Sequence, residues 1–342
     1  MRFIGCVINK CGMPQCEFCA DNGTTVDITG IKDIDVLDYI IREKGCHHIV
    51  VHVYNGMINK LLATLYLMEA SRAAYSSKIH ITVAWHEEYV GDGMNTSYEE
   101  LFAFKGNDFF SVMWYEKVPH DPWALHIYDT SLRTVRQMVG RVVPFIAKGI
   151  EPHLPSLLTH AQNEMMDIVR PSDTVRKACL DTWQGLGLIS ADFSDMADIN
   201  SIRCVCPVAV HVRGGWGPGY EFRPRVSKND VRKRVQEAVS NTGTGVVFVC
   251  SDRIREAECV CDGIPGVTHV VVNAVPTVKF TVPGGKVVER SPLVSACVDF
   301  WTCVLSDQFI ETPNSTFSTF IMALRPIANT AWCMPVGDVK CT

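Results

Sequence analysis

The sequence predicts an α/β protein built on parallel sheets and divided into two domains. Short apolar runs of strand length alternate with longer segments whose apolar residues recur at helical spacing, which is typical of parallel sheets covered by helices. A chain of 342 residues is long for one core and suits two domains of about 150 residues each. A content of 47% hydrophobic and 20% charged residues agrees with a well-buried globular protein.

The first half of the chain supplies one set of alternating elements. Residues 48–53 and 79–85 are apolar runs that predict buried strands, and residues 61–73 between them have helical spacing. Further elements are predicted at residues 98–104 (a short amphipathic segment), 124–128 (a strand), 134–147 and 154–169 (helices), and from the cap Ser172 through Trp183 (a helix).

The second half repeats the alternation more regularly. Its predicted elements are strands at residues 205–212, 245–250, 267–272 and 307–311, and helices at residues 228–240, 292–305 and 320–324. Residues 185–201 between the halves are rich in Asp, Ser and Gly and predict a linker. We therefore expect domains at residues 1–190 and 200–325, with a tail at 326–342 that packs back on the first domain.

Polar side chains of the second half fall where predicted strands end. They are His211, Arg213, Ser251, Asp252 and, just beyond the last strand, Ser315. Ligands of parallel α/β sheets bind outside the carboxyl ends of the strands. The sequence therefore predicts a nucleotide site at this edge without naming the ligand further.

Two residues of this set, His211 and Arg213, leave one strand two positions apart and enter a glycine-rich loop at 214–219. The spacing places both side chains on one side of the strand. An Arg beside glycines is suited to the bidentate binding of a diphosphate. An Arg that pairs with a nearby carboxylate is the structural alternative.

The segment 299–318 contains an acid, a strand and a hydroxyl-rich helix start in succession. Ser315 and Thr316 precede the apolar run 320–324 and are expected to cap its helix. The N–H groups and dipole of a helix start bind phosphate, although Ser and Thr also cap many helices that bind nothing.

Charge and hydropathy exclude other classes of function. A net charge of −5 and a pI near 6.1 give no general footprint for nucleic acid. No segment reaches the roughly 18 to 20 apolar residues of a membrane span, and residues 1–10 are too short a run for a signal peptide. We therefore expect a cytoplasmic protein of bacterial or viral type, or a chain trimmed of a secretory anchor.

Four of the fifteen cysteines cluster near the start of the chain, at Cys6, Cys11, Cys16 and Cys19. Only the last pair has a spacing common in zinc sites. Reduced, buried thiols are the default interpretation, and no metal site is predicted.

Three short motifs resemble the fucosyltransferase superfamily, and most closely its protein O-fucosyltransferases and their nodulation and core-fucosylating relatives. They are residues 54–60 with the helix and strand that follow, His211-Val-Arg213, and residues 299–317. The resemblance implies two Rossmann-like domains facing across a cleft, the GT-B arrangement, with a nucleotide sugar held by the second domain.

Matching positions imply roles at the donor. Arg213 would hold the diphosphate, Asp299 would bind the base, and Asn59 would reach from the first domain toward the reacting centre. The donor-binding set implied by the family and by the strand ends is Gly56, His211, Asp252, Asp299, Ser315, Thr316 and Phe317.

The residue that deprotonates the acceptor is less defined. Glu87, Glu88 and Asp92 follow a strand of the first domain and are expected as catalytic candidates together with Arg213 and Asn59, and His86 is a further alternative. Some relatives manage without an enzymic base.

Where many relatives continue the His-x-Arg motif with a charged residue, this chain has Gly214-Gly215-Trp216. GDP-fucose is the first expected donor, with UDP-xylose or another nucleotide sugar as the alternative, and the acceptor is a glycan or protein hydroxyl. Transfer is expected to invert the configuration at the anomeric carbon of the sugar and to need no metal or other cofactor. A non-catalytic sugar-nucleotide-binding relative is the competing class, whereas a dinucleotide oxidoreductase lacks the Gly-x-Gly-x-x-Gly pattern.

Overall fold

The fold is known from a computed structural model. It describes residues 2–8, 14–19, 25–27, 48–53, 56–73, 80–86, 96–104, 106–119, 125–129, 158, 162–193, 201–213, 227–251, 259–273, 278–282, 286–290, 292–313 and 315–333.

The described part of the first half is organised around one mixed sheet. Its elements are β1 (Arg2–Ile8), β2 (Pro14–Cys19), β3 (Thr25–Asp27), β4 (His48–Val53), α1 (Met57–Ala73), β5 (His80–Trp85), α2 (Tyr98–Leu101), β6 (Gly106–Asn107), β7 (Phe110–Trp114), β8 (Leu125–Asp129), α3 (Gln162–Val169) and α4 (Asp173–Gly185). The strand order is β3-β2-β1-β8-β4-β5-β7-β6. The central strands from β1 to β7 pair in parallel, and antiparallel strands flank them on both sides.

A second, fully parallel sheet follows. Its half of the chain contains β9 (Cys206–Val212), α5 (Lys228–Thr242), β10 (Val246–Ser251), β11 (His269–Val272), β12 (Val278–Val282), β13 (Lys286–Arg290), α6 (Leu293–Val304), β14 (Ser306–Ile310), α7 (Thr316–Leu324) and α8 (Ala328–Cys333). The strand order is β11-β10-β9-β14, and β12 and β13 form a separate hairpin. Among the helices described, none is long and apolar enough to cross a membrane.

Burial on both faces explains why β9 and β10 consist of almost uninterrupted apolar residues. Val208 and Val210 belong to a core shared with α5 on one face. Ala209 and Phe248 point to the other face and join a larger core that also includes Val51 of the first sheet. One continuous apolar core thus connects residues of both sheets through the helices between them.

Local signals fix several helix ends. The hydroxyl of Ser172 accepts the N–H of Val175 at 3.2 Å and caps α4, as the sequence predicted. Ser97 and Glu100 form a capping box on α2. Gly243 ends α5 with a φ of 67°, a left-handed conformation that glycine adopts without a Cβ penalty.

The prediction of an α/β fold with parallel sheets is confirmed, and some elements differ from their predicted bounds or were not predicted. The helix expected at 61–73 begins at Met57, and the one expected at 154–169 is described only as Gln162–Val169, apart from the single residue 158. The strands β1 to β3, the pair β6–β7 and the hairpin β12–β13 were not predicted. The helix expected at 134–147 lies outside the described residues.

The domain boundaries stay a prediction. Residues of the expected tail lie against helices of the first half: the Trp332 ring is 5.3 Å from that of Trp183 on α4, and the Arg176 guanidinium lies 5.5 Å from the Trp332 ring. The nearby Trp183 indole donates to the Thr302 hydroxyl on α6 at 2.7 Å. The two halves therefore share buried contacts.

Candidate functional site

The carboxyl ends of the four parallel strands of the second sheet lie at one edge. Arg213 follows β9, Ser251 ends β10, Asn273 follows β11 and Thr312 lies two residues after β14. The sequence predicted that Arg213 and Ser251 would meet here, and the topology brings their strands side by side. It did not single out Asn273 or Thr312, although Asn273 is a polar residue directly after the Val-rich strand β11.

A chain of hydrogen bonds joins this edge to α7, and we call it the Thr312 clasp. The Thr312 hydroxyl donates to the His211 carbonyl at 2.5 Å and accepts the Arg213 N–H at 3.1 Å. The Thr312 N–H donates to the Ser318 hydroxyl at 3.0 Å, and that hydroxyl bonds Nδ1 of the His211 ring at 2.8 Å. The clasp thereby fixes the backbone from which the Arg213 side chain extends.

The start of α7 differs from the sequence prediction in one respect. Ser315 has the extended backbone of an N-cap, but its side chain makes no capping hydrogen bond. Ser315 as a residue is 1% exposed, and its buried hydroxyl has no hydrogen-bond partner in the described structure. The expected capping by Ser315 was wrong because its hydroxyl is turned into a buried position. A buried unpaired hydroxyl costs free energy, which a ligand atom would recover only if the side chain turned toward solvent.

Aromatic contacts connect the next residues of α7 to the clasp. The Phe317 ring lies 4.7 Å from the His211 ring and 5.9 Å from the Phe300 ring on α6. Thr316 is partly exposed and occupies the first helical position. The predicted residues His211, Arg213, Ser315, Thr316 and Phe317 are therefore neighbours in the fold.

Asp299 lies on α6, one residue before Phe300, rather than at a strand end. It is 8% exposed, and its Oδ1 accepts the Asn273 amide at 2.9 Å. Burial raises the pKa of Asp299 to about 7, while hydrogen bonds from Asn273 and Cys250 oppose the shift. Near neutral pH this carboxyl therefore exists in both protonation states.

On the first half of the chain, Asn59 lies in the first turn of α1. Its Oδ1 is buried and has no hydrogen-bond partner among the described atoms. The Gly56 carbonyl accepts the Lys60 N–H at 3.0 Å and starts the helix. The Cys297 thiol of α6 contacts the Met57 sulfur at 3.3 Å, so the start of α1 lies against the helix that carries Asp299.

A histidine pair occupies the carboxyl ends of β4 and β5. Nδ1 of His52 is 2.7 Å from Nε2 of His86, whose ring stacks on Tyr115 at 4.2 Å. Nζ of Lys60 donates to the His86 carbonyl at 2.7 Å. Burial, aided by the Lys60 charge, lowers the pKa of His86 to about 4, so this imidazole is neutral near pH 7. The pair was not predicted, although His86 was named as an alternative base.

Other predicted residues fall outside the described part of the chain. These are Glu87, Glu88, Asp92 and Asp252. Within the described residues no three His, Cys, Asp or Glu side chains are grouped as metal ligands would be. Of the N-terminal cysteines, Cys6 and Cys16 are register partners on β1 and β2, and their side chains lie outside the description.

Several groups of this arrangement offer a chemical function to a ligand. The uncapped start of α7 beside Arg213 suits an anion, the buried carboxyl of Asp299 suits a hydrogen-bond donor, and the unpaired amide oxygen of Asn59 suits a further donor. The neutral His86 ring can accept a proton.

Comparison with known proteins gives similarity in structure only. No protein-family profile matches the sequence, and neither does any curated protein. Similar solved structures include a mutant of Arabidopsis thaliana FUT1 in complex with GDP, with a TM-score of 0.43 and 10% identity over 82% of this chain and 68% of that one. They also include a family 9 glycosyl transferase from Veillonella parvula (TM-score 0.39, 9% identity, 81% and 78% covered) and the NodZ α-1,6-fucosyltransferase soaked with GDP-fucose (0.37, 11%, 82% and 93%).

Proposed function

We propose that the protein is an inverting, metal-independent glycosyltransferase that moves a sugar, first of all fucose from GDP-fucose, to a glycan or protein hydroxyl. The observation that carries the proposal is the start of α7. There, a buried and unpaired Ser315 hydroxyl and a first turn without a side-chain cap lie next to the clasp that fixes Arg213. In this proposal a phosphate group accepts from the N–H groups of the first turn, and the Ser315 hydroxyl, which solvent does not reach, would have to turn outward to join them.

The diphosphate of the donor lies between Arg213 and the start of α7 in this proposal. The guanidinium binds it through two parallel hydrogen bonds, and the N–H groups of Thr316 and Phe317 add their donors. Charge develops on the diphosphate as the sugar leaves, so Arg213 stabilises the transition state more than the ground state. Removing one such group costs roughly 3 kcal/mol or more in activation free energy.

The base of the nucleotide is assigned to Asp299. This buried carboxyl lies on α6, one residue from Phe300, which contacts Phe317 of α7. Guanine presents two adjacent N–H donors to a carboxylate, which favours GDP as the nucleotide. UDP-xylose is the alternative donor.

We assign the binding position of the acceptor hydroxyl to the region next to Asn59 and the carboxyl end of β5. Asn59 brings an unpaired oxygen to the start of α1, where Met57 touches the helix of Asp299. Proton removal is assigned to Glu87, Glu88 or Asp92, with His86 as the alternative because its ring is neutral near pH 7.

A transfer assay tests the proposal. GDP-fucose and UDP-xylose would each be supplied with a mixture of glycans and peptides, with and without EDTA, and product and anomeric configuration read by mass spectrometry and NMR. The test variant is Arg213→Ala. Its matched control is Arg203→Ala, which changes an exposed arginine just before β9.

We expect a product with inverted anomeric configuration that forms even in the presence of EDTA. Arg203→Ala should retain this transfer activity, and Arg213→Ala should lose it. Tight binding of a donor by a protein that transfers nothing to any acceptor would favour the non-catalytic relative. Neither binding nor transfer with any nucleotide sugar would contradict the proposal.

A further inference from the structure

A compact polar cluster lies between β11 and α6, and we call it the Asn273 cluster. Nδ2 of Asn273 is 2.9 Å from Oδ1 of Asp299, 2.9 Å from Oγ of Ser295 and 3.4 Å from the Ser295 carbonyl. Ser295 and Asp299 are four residues apart and therefore share one face of α6. One amide group thus holds the carboxyl of Asp299 from the carboxyl end of the neighbouring strand.

The neighbours of Asp299 make this amide important for its charge. Among the residues that the structure describes, the titratable groups that face it are the thiols of Cys179 from α4, Cys250 from β10 and Cys297 from its own helix. Burial raises the pKa of Cys179 and of Cys297, so both stay neutral at pH 7. The group of Asn273 that faces Asp299 is its NH2, which can only donate, so it favours the ionised form of Asp299 over the protonated form.

The charge of a carboxyl group decides which base it fits. An ionised carboxylate offers two acceptors, which match the adjacent N1–H and N2–H donors of guanine. A protonated carboxyl offers one donor and one acceptor, which match the N1 acceptor and N6–H donor of adenine. Uracil presents a single N–H beside a carbonyl, so it also matches the protonated carboxyl but offers only one donor to the ionised form.

We propose that Asn273 is the specificity-determining residue for the nucleotide base, because its amide holds Asp299 as an oriented carboxylate that accepts from guanine and discriminates against adenine. The inference rests on the proposed function, since it takes the base to bind at Asp299. Asn273 itself is a positioning residue and acts through Asp299.

Calorimetric titration tests this inference. GDP, ADP and inorganic pyrophosphate would be titrated at pH 6, 7 and 8 into the wild type, Asn273→Ala and Asn273→Asp, the last keeping the side-chain size. Asn241→Ala, which changes an exposed asparagine near the end of α5, is the control. A thermal midpoint for each variant confirms that it is folded.

We expect the wild type to prefer GDP to ADP and both substitutions of Asn273 to weaken GDP binding about tenfold while leaving pyrophosphate binding unchanged. Because the pKa of Asp299 is about 7, GDP binding should weaken as the pH falls from 8 to 6. Loss of the amide donor raises that pKa further, so the midpoint of the GDP profile should move to higher pH in Asn273→Ala.

Three results would overturn the inference. Equal GDP affinity and an unmoved pH profile in both folded variants would show that Asn273 does not act on base recognition. A wild type that binds pyrophosphate, and binds ADP at least as well as GDP, would remove guanine recognition while leaving the phosphate site of the proposed function intact. Failure to bind even pyrophosphate would instead contradict the proposed function, and this inference with it.

Discussion

The backbone N–H of Arg213 donates to the hydroxyl of Thr312 at 3.1 Å, across 99 positions of sequence. The same hydroxyl donates to the His211 carbonyl, so one side chain after β14 completes the hydrogen bonding of the end of β9. The orientation of the proposed diphosphate-binding residue is therefore set by a neighbouring strand rather than by its own loop alone.

Thr312→Val should weaken both stability and ligand binding. Valine keeps the shape of threonine but removes one donor and one acceptor, which is worth about 1 to 2 kcal/mol in the free energy of unfolding. Urea denaturation and GDP titration would measure the two effects. Thr242→Val is the control, because that hydroxyl bonds only carbonyls of its own helix in the described contacts. Equal losses in both variants would contradict a special role for the clasp.

Asp299→Asn should change the pH dependence of stability. The pKa of Asp299 is raised to about 7 in the folded protein, above its model-peptide value of 3.8, so the native state binds the proton more tightly. The contribution of Asp299 to the free energy of unfolding is then fully present below pH 3.8 and is lost as the pH rises through 7. Relative to the wild type, Asp299→Asn should gain stability between pH 5 and 7, by at most about 1.4 kcal/mol per pH unit. Urea denaturation curves with a pH-independent difference would be inconsistent with this assignment.

His86→Gln should act in the opposite direction. The pKa of His86 is lowered from 6.5 to about 4, so the unfolded chain binds the proton more readily. The contribution of His86 to stability is present above pH 6.5 and is lost as the pH falls through 4. The slope of unfolding free energy against pH between 4 and 6.5 should therefore be smaller in the variant. A histidine NMR signal that titrates near pH 6.5 in the folded wild type would refute the prediction.

Arg325→Ala should destabilise the junction between α6 and β14. The guanidinium of Arg325 donates to the carbonyls of Cys303, Val304, Ser306 and Asp307 at 2.8 to 3.2 Å. Losing these charge-assisted bonds should lower the unfolding free energy by about 2 to 3 kcal/mol. Thermal and urea unfolding would show it, and Arg325→Lys should recover only part because an ammonium cannot form the planar fork. Full recovery with lysine would count against this explanation.

Strands of the second sheet were predictable because burial on both faces demands apolar runs such as residues 246–250. The polar residues at the ends of β9 and β10 stand out against such runs, whereas Asn273 and Thr312 were not singled out. The N-terminal strands were missed because residues 2–19 mix Gly and Cys with polar residues, and the register of β1 shifts between Phe3 and Gly5.

The site was predicted only in part. Asp299 and Arg213 stand in recognisable motifs, but Asn273 is a single amide 26 positions from Asp299, and only the tertiary fold brings the two side chains together. The hydroxyl of Ser315 was expected to cap α7, and its buried orientation depends on tertiary packing that residue spacing does not reveal. The contact between His52 and His86 likewise depends on β4 and β5 being adjacent.

A thermal-shift panel tests the central claim most directly. The wild type and Arg213→Ala would be heated with GDP, UDP, their fucose, mannose, xylose and glucose conjugates, and NAD, each with and without Mn²⁺. A ligand that binds the folded state raises the unfolding midpoint. We predict that GDP and GDP-fucose each stabilise the wild type to the same extent with and without Mn²⁺. Arg213→Ala should lose this stabilisation. A wild type that responds to no sugar nucleotide, or a response that Arg213→Ala retains in full, would contradict the assigned site.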